Sequence, residues 1–164
     1  MTDQAAPKIT FGPVTAADFE PLLALRIAVM RAHLERVGRF SPERARQRFG
    51  ESFHPDHMRM VHLDGVRVGC VSLRPSGDGL ELENFYLDAA TQGRGIGAAV
   101  LRRLLDEADA AGKPVRLTVL KHSRAHRLYE RHGFHLVGEA GVDLFYERPV
   151  PASGQRSTSA SSLP

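Results

Sequence analysis

Three glycines at alternate positions mark one short segment, Gln92-Gly93-Arg94-Gly95-Ile96-Gly97-Ala98. No other segment limits the fold so tightly. Before it, residues 80–87 (Leu-Glu-Leu-Glu-Asn-Phe-Tyr-Leu) have the pattern of a strand. After it, residues 95–111 put Ile96, Val100, Leu101, Leu104 and Leu105 on one helical face, with Gly112 just past the end. Residues 114–120 are apolar and β-branched, as in a buried strand. A strand, a helix and a strand in that order call for a parallel pair joined by a right-handed crossover. The glycines leave the backbone bare where the helix begins. Several N–H groups can then point at one anion, and the helix dipole favours it. The segment predicts a phosphate or diphosphate ligand.

The remaining elements set this unit in a mixed sheet. Residues 9–13 read as a short strand. From 18 to 37, Phe19, Leu22, Leu23, Ile27, Met30 and Leu34 recur at helical spacing. Thr15 or Asp18 can cap that helix and Gly38 ends it. Ser41-Pro42-Glu43 is a cap followed by proline at the first helical position, opening a second helix that ends near residue 52. At Met58 the period changes to two. Residues 58–63 and 66–74 flank Asp64-Gly65, a strong hairpin signal. Residues 75–79 read as a turn, and 80–87 completes an antiparallel meander. Residues 123–132 form a helix between Ser123 as cap and Gly133 as stop; 135–139 and 144–148 are two last strands. The class is α/β with a mixed sheet, in the order β-αα-βββ-α-β-α-ββ. Residues 1–7 and the Pro/Ser-rich 150–164 are expected to be disordered, which leaves one domain over 8–149.

With 164 residues the chain is long enough to hold a core unaided. Hydrophobic residues at 42% and charged residues at 25% describe a globular chain rather than a disordered one. No apolar run is long enough to span a membrane, and the opening MTDQAAPKIT lacks the apolar stretch of a secretory signal. Cys70 is the single cysteine. It can form no internal disulfide, and a reducing cytoplasm is the expected setting. The net charge is +3, from 22 Lys and Arg against 19 Asp and Glu. Only Lys8, Lys113 and Lys121 are lysines; arginine is the better bidentate partner for phosphate. Without a basic run or interleaved aromatics, nucleic acid is not an expected partner.

Two other phosphate binders fit less well. Gly93, Gly95 and Ala98 satisfy the dinucleotide fingerprint, but that reading needs an acid at the end of the next strand. The chain has Val119-Leu120-Lys121-His122 there. A three-strand meander also precedes the loop, where the fingerprint normally follows a first strand. A Walker A loop is excluded, since no Gly-Lys-Ser/Thr follows the glycines.

The segment 92–97 resembles the Q/R-x-x-G-x-G/A loop of the GNAT superfamily of N-acetyltransferases. Leu87-Asp88-Ala89-Ala90-Thr91 is similar to the lead-in of that loop, with Ala89 where proline is usual. Leu128-Tyr129-Glu130-Arg131-His132-Gly133-Phe134 resembles the family's late L/F-Y-E-x-x-G-F element, at a fitting distance. The resemblance covers about residues 8–149. It implies a splayed mixed sheet that admits the pantetheine arm of acetyl-CoA as cosubstrate. The diphosphate would lie on the backbone of Gly93, Arg94, Gly95, Ile96, Gly97 and Ala98, beside Gln92. Leu87 would offer backbone bonds to pantetheine. Many members carry Asn near the start of the last helix; here His122-Ser123-Arg124-Ala125 stands, and Ser123 is the remaining candidate to bond the ligand.

The resemblance also implies catalytic roles. Tyr129 stands where many members place a hydroxyl near the CoA sulfur, as a proton donor to the leaving thiolate. An ammonium has no lone pair, so a base is needed. Glu81 and Glu83, two residues apart, share a strand face. Glu81 lies eleven residues before Gln92, where some members carry a catalytic or water-positioning glutamate. Either acid, or ordered water, can serve. The expected acceptor is an amine-bearing small molecule or a protein amine. The alternative is a non-catalytic acyl-CoA-binding or sensing module. The resemblance allows a homodimer.

Other chemistry finds less support. His122 and His126 have a metal-ligand spacing on the predicted last helix, but no third ligand completes a site, and no metal is expected. Cys70, between Gly69 and Val71, reads as a buried structural thiol rather than an acetyl carrier. The resemblance puts acceptor specificity in about residues 18–52, with the first two helices, in the Phe53–His57 loop and in the last hairpin; Arg31, His33, Arg36, Arg39 and Arg44 fall within 18–52 and do not by themselves define a substrate.

Overall fold

The computed structural model describes residues 5–36, 38 and 40–152. Most of the expected disordered ends, and Val37 and Arg39, lie outside the described residues. One seven-stranded sheet organises the chain, in the order β1-β2-β3-β4-β5-β7-β6. Its strands are β1 (Ile9–Pro13), β2 (Met58–Leu63), β3 (Val66–Ser76), β4 (Gly79–Leu87), β5 (Val115–Leu120), β6 (His135–Ala140) and β7 (Asp143–Arg148). The helices are α1 (Phe19–Arg36), α2 (Pro42–Ser52), α3 (Ile96–Ala110) and α4 (Ala125–Arg131). Only β4 and β5 pair in parallel. The element order is the one the sequence predicts. Among the described residues no helix is long and apolar enough to cross a membrane.

Local chemistry sets the ends. Asp18 accepts from the Thr15 N–H at 2.8 Å and a short 3-10 turn, Ala16–Asp18, leads into α1. Ser41 Oγ accepts from the Arg44 N–H at 3.4 Å and Pro42 opens α2. Asp64 and Gly65 both have positive φ, as the tight β2–β3 hairpin needs. The next hairpin is tighter than expected. Pro75 lies in β3 opposite Leu80, and only Gly77 and Asp78 turn the chain. β2 reaches β3 no further than Ser72, so one side of β3 is unpaired at Pro75 and a proline is tolerated.

The sheet divides two cores. On one face Val100, Leu101, Leu104, Leu105 and Ala108 of α3 pack with Val71, Leu82, Val115 and Phe134; Leu128 and Tyr129 of α4 join them. On the other, Leu22 and Leu23 of α1 and Phe49 of α2 pack with Met58, Met60 and Cys70, and Tyr86 lies against them. Phe19, Phe49 and Phe53 interlock with ring centroids 5.1–5.5 Å apart.

Two irregularities in β4 shape everything downstream. First, β4 and β5 pair only at Leu80–Val115 and Glu81–Arg116. Beyond those rungs the strands part, while β5 stays paired to β7 as far as Leu120. Second, β4 carries a bulge. Cys70 faces Tyr86 but Ser72 faces Glu83, so β4 has one more residue than β3 over that stretch. Asn84 takes up the excess at φ 48°. Its amide donates to the Ser52 carbonyl at 3.1 Å, which ties the bulge to the end of α2. A bulge bends its strand and raises the local twist, and here it lies where β4 leaves β5.

Candidate active site

The loop after β4 is built from backbone. Gly93 and Gly95 adopt φ of 75° and 76°, which a residue with a Cβ adopts only with strain. Gly95 is the cap residue of α3 and brings no side chain to it. Asp88 holds the entry: its carboxylate accepts from the Thr91 N–H at 3.1 Å and hydroxyl at 2.6 Å. Gln92 Nε2 donates to the Leu87 carbonyl at 2.9 Å and closes the loop onto the strand end. From Gly93 to Ala98 no backbone N–H finds an acceptor among the described residues. Six consecutive free donors at a helix N-terminus form an anion site. Gly97 is different from its neighbours. A Cβ there would touch Leu87 and Leu128 at 3.7 and 3.8 Å, ordinary contact, so its role is closeness rather than dihedral freedom.

The acids of β4 lie on the α1–α2 face, and the structure distinguishes them. Glu83 is held by Arg74, whose Nη2 donates at 2.9 Å and Nε at 3.3 Å. Glu81 faces Arg74 in the register and Arg116 across the last parallel rung. Neither guanidinium is within ion-pair distance of it: Arg116 bonds Asp78 and Glu147 instead. Burial, then the charge of Glu83, pushes the Glu81 carboxyl above its ordinary value. A carboxylate with a raised pKa is the better base.

Strict alternation from Glu81 and Glu83 would continue through Phe85 and Leu87. The bulge moves that face to Tyr86, while Phe85 and Leu87 pack on the α3 side. Tyr86 is a residue the pattern did not reveal. Its phenol is pushed up to about 12, chiefly by burial, with Arg26 opposing and Cys70 and Glu83 adding to the rise. Tyr129 lies on the other side of the sheet. Its ring packs edge-on against Phe134 at 5.6 Å. Its hydroxyl has no hydrogen-bond partner among the described residues, and burial, then Tyr86, pushes its pKa up. Tyr129 therefore stays a neutral O–H near neutral pH, as a proton donor must.

Ser123 accepts from the Ala125 N–H at 3.2 Å; it serves the turn before α4, since α4 begins two residues later than expected. His122, at φ 66°, is in that turn and not on the helix. The helical spacing expected of His122 and His126 is therefore absent, and the His126 ring bonds the Ser123 carbonyl. Among the described residues no group of three or more His, Cys, Asp or Glu could hold a metal ion. Cys70 is fully buried and donates to the Asn84 carbonyl at 3.2 Å. Burial raises its pKa to about 12.

Comparison with known proteins decides the family. The family model described as "Acetyltransferase (GNAT) family" matches residues 25–134, more than half of the chain. The chain belongs to the GNAT family of acetyltransferases. It is 36% identical over 131 residues to a mycothiol acetyltransferase of Beutenbergia cavernae, which covers 76% of this chain and 43% of that protein. The chain thus spans less than half the length of that relative. Solved structures share the fold. The PaiA N-acetyltransferase of Thermoplasma acidophilum, in complex with coenzyme A, superposes with a TM-score of 0.68 at 19% identity, covering 87% of this chain and 99% of that one. The ribosomal-protein-S18-alanine N-acetyltransferase of Escherichia coli gives 0.62 at 20% identity, covering 91% and 98%.

In this GNAT acetyltransferase Gln92 to Ala98, Leu87 and the parting of β4 from β5 adjoin one another. Glu81 stands at the last rung between β4 and β5 and Glu83 just beyond it, and Tyr129 packs on the α3 side of the sheet. Ser123 sits beyond the end of β5. Arg31 is paired with Glu35 and Arg36 is exposed. The His33 Nε2 is buried without a partner among the described residues.

Proposed function

We propose that the chain transfers the acetyl group of acetyl-CoA directly to a primary amine, with residues 8–149 as the catalytic domain. The observation that carries this is the run of six free N–H groups, Gly93 to Ala98, beside two strands that part. The N–H groups suit a diphosphate. The unpaired edge of β4 beyond Glu81 suits an extended arm that completes the sheet locally. Glu81, whose pKa is raised by burial and then by the charge of Glu83, takes the proton from the ammonium, directly or through water. The freed amine attacks the thioester carbonyl, the carbon–sulfur bond breaks, and Tyr129 donates its proton to the departing sulfur. Gln92 and Asp88 hold the loop in shape. Ser123 braces the turn into α4. A reducing cytoplasm suits the single buried thiol, and a homodimer is read by sedimentation at working concentration.

The test has two parts. Acetyl-CoA should raise the melting temperature, by about 2.7 kcal/mol of stabilisation at about 100 times its dissociation constant, while NADP should not. Thiol release from acetyl-CoA should then depend on an added amine. Equal stabilisation by NADP overturns the cosubstrate. Binding without amine-dependent release shows a binding module instead of an enzyme.

A further inference from the structure

A groove runs between α1 and α2 over the end of β5 and the β6–β7 turn. Arg26 and Met30 line it from α1, Arg44 and Arg48 from α2, and Leu120 and Val142 close the far side. Arg44 and Arg48 are one helical turn apart, so both project from the same side of α2. None of the three arginines forms an ion pair among the described residues. The acids of these helices are engaged elsewhere. Glu20 bonds Arg46, Glu35 bonds Arg31, and Glu51 accepts from Gln47. Glu43 is held by the Ser41 hydroxyl at the rim. Three guanidinium groups facing one groove repel one another, and an anion between them removes that repulsion while taking forked hydrogen bonds.

The groove lies on the same face of the sheet as the acids of β4. Arg26 stacks over Phe49 at 6.0 Å, and Phe49 belongs to the core against which Tyr86 of β4 packs. It lies on the α1–α2 face of the sheet, whereas the free N–H groups belong to the start of α3 on the other side. An anion in the groove is therefore a separate one from the diphosphate of the cosubstrate.

We propose that this groove seats the anionic group of the acceptor, so that the substrates are small amines bearing a carboxylate or phosphate. This rests on the acetyl-transfer reading above and names its acceptor class. The test uses L-glutamate for the carboxylate, O-phospho-L-serine for the phosphate and putrescine as a cationic control. Each is assayed by thiol release with the wild-type chain, with Arg44→Gln/Arg48→Gln, and with the triple variant that adds Arg26→Gln. The double variant changes only exposed side chains and should fold normally. At least one anionic amine should have a lower KM than putrescine. Each set of substitutions should raise that KM by at least about tenfold, the scale of lost charge-assisted bonds. Neither should alter acetyl-CoA affinity. Whichever of the two anions responds identifies the group.

Calorimetric titration of both anions into the CoA-saturated chain reads the groove without chemistry. Binding in the wild type that disappears in the variants upholds the groove even if no amine is acetylated, in which case only the acetyl-transfer reading falls. Putrescine turned over as well as the anionic amines overturns the proposal. So do substitutions that weaken acetyl-CoA and every amine alike.

Discussion

The two sides of the β4–β5 gap are made of different materials. On the α3 side the proposed anion site is backbone: six N–H groups in one unbroken segment, shaped by two glycines at positive φ. On the α1–α2 side it is side chain: Arg26, Arg44 and Arg48, brought together by two helices and walled by Leu120 and Val142. A backbone site depends on dihedral angles, so it tolerates changes of side chain but not of glycine. A side-chain site depends on which residues a fold happens to gather, so it can be rewritten one residue at a time. That difference lets one scaffold keep a fixed donor while its acceptor varies.

Substitutions can break or sharpen this contrast. The largest effect should come from the one side chain that serves the donor chemistically. Tyr129→Phe keeps the ring against Phe134 and should lower kcat by about 10²–10⁴-fold, the usual worth of a general acid, with acetyl-CoA affinity unchanged. A wild-type kcat with chemistry rate-limiting removes the acid role.

Glu81→Gln should come next. It should lower kcat/KM and abolish the acidic limb of the pH profile. It should also stabilise the fold at neutral pH. The folded pKa of Glu81 is raised above 4.5, so the wild-type fold loses stability as pH rises through that folded pKa. The variant's advantage should fade as pH falls below 4.5. A melting-temperature series against pH checks the sign, and a variant less stable than wild type at pH 7 would contradict it.

Smaller again is Gly95→Ala. A Cβ meets nothing there, but a non-glycine residue at that φ costs roughly 1–2 kcal/mol. If the loop relaxes to relieve the strain its donors turn away, and CoA affinity should fall about tenfold. Unchanged affinity by calorimetry would mean that side chains hold the diphosphate after all. Arg94→Ala should do least. Its side chain is exposed and has no partner among the described residues, so the loss should stay within about fivefold, the range of a surface ion pair. A larger loss would blur the contrast from the donor side.

The same contrast explains what the sequence discloses. The glycine loop is contiguous, its dihedral demands appear as glycine, and the helix it opens is periodic; all of this is legible from Gln92 to Ala110. The hairpin at Asp64-Gly65 and the caps at Ser41 and Gly133 are legible for the same reason. The bulge is not. An asparagine in a strand has many uses, and what fixes Asn84 at positive φ is Ser52, 32 residues away. With the bulge hidden, alternation assigns the wrong neighbours to Glu83 and conceals Tyr86. The groove is hidden more deeply, since its residues come from four separate places. The misread metal spacing of His122 and His126 has a local cause: α4 starts at Ala125, after the turn that Ser123 holds.

Cys70 sets the order of events. It is the single thiol in the chain, it is sealed in the core against the Asn84 carbonyl, and its pKa of about 12 keeps it protonated. No acetyl-cysteine can form on it and wait while one product leaves and the next substrate enters. The direct transfer proposed above then requires both substrates to be present together before either product departs. Initial velocities measured at several fixed amine concentrations should give intersecting double-reciprocal lines, not the parallel ones of a ping-pong scheme. The same seal has a practical side. A thiol-reactive dye added to native enzyme should report released coenzyme alone, with no background from the protein until it unfolds.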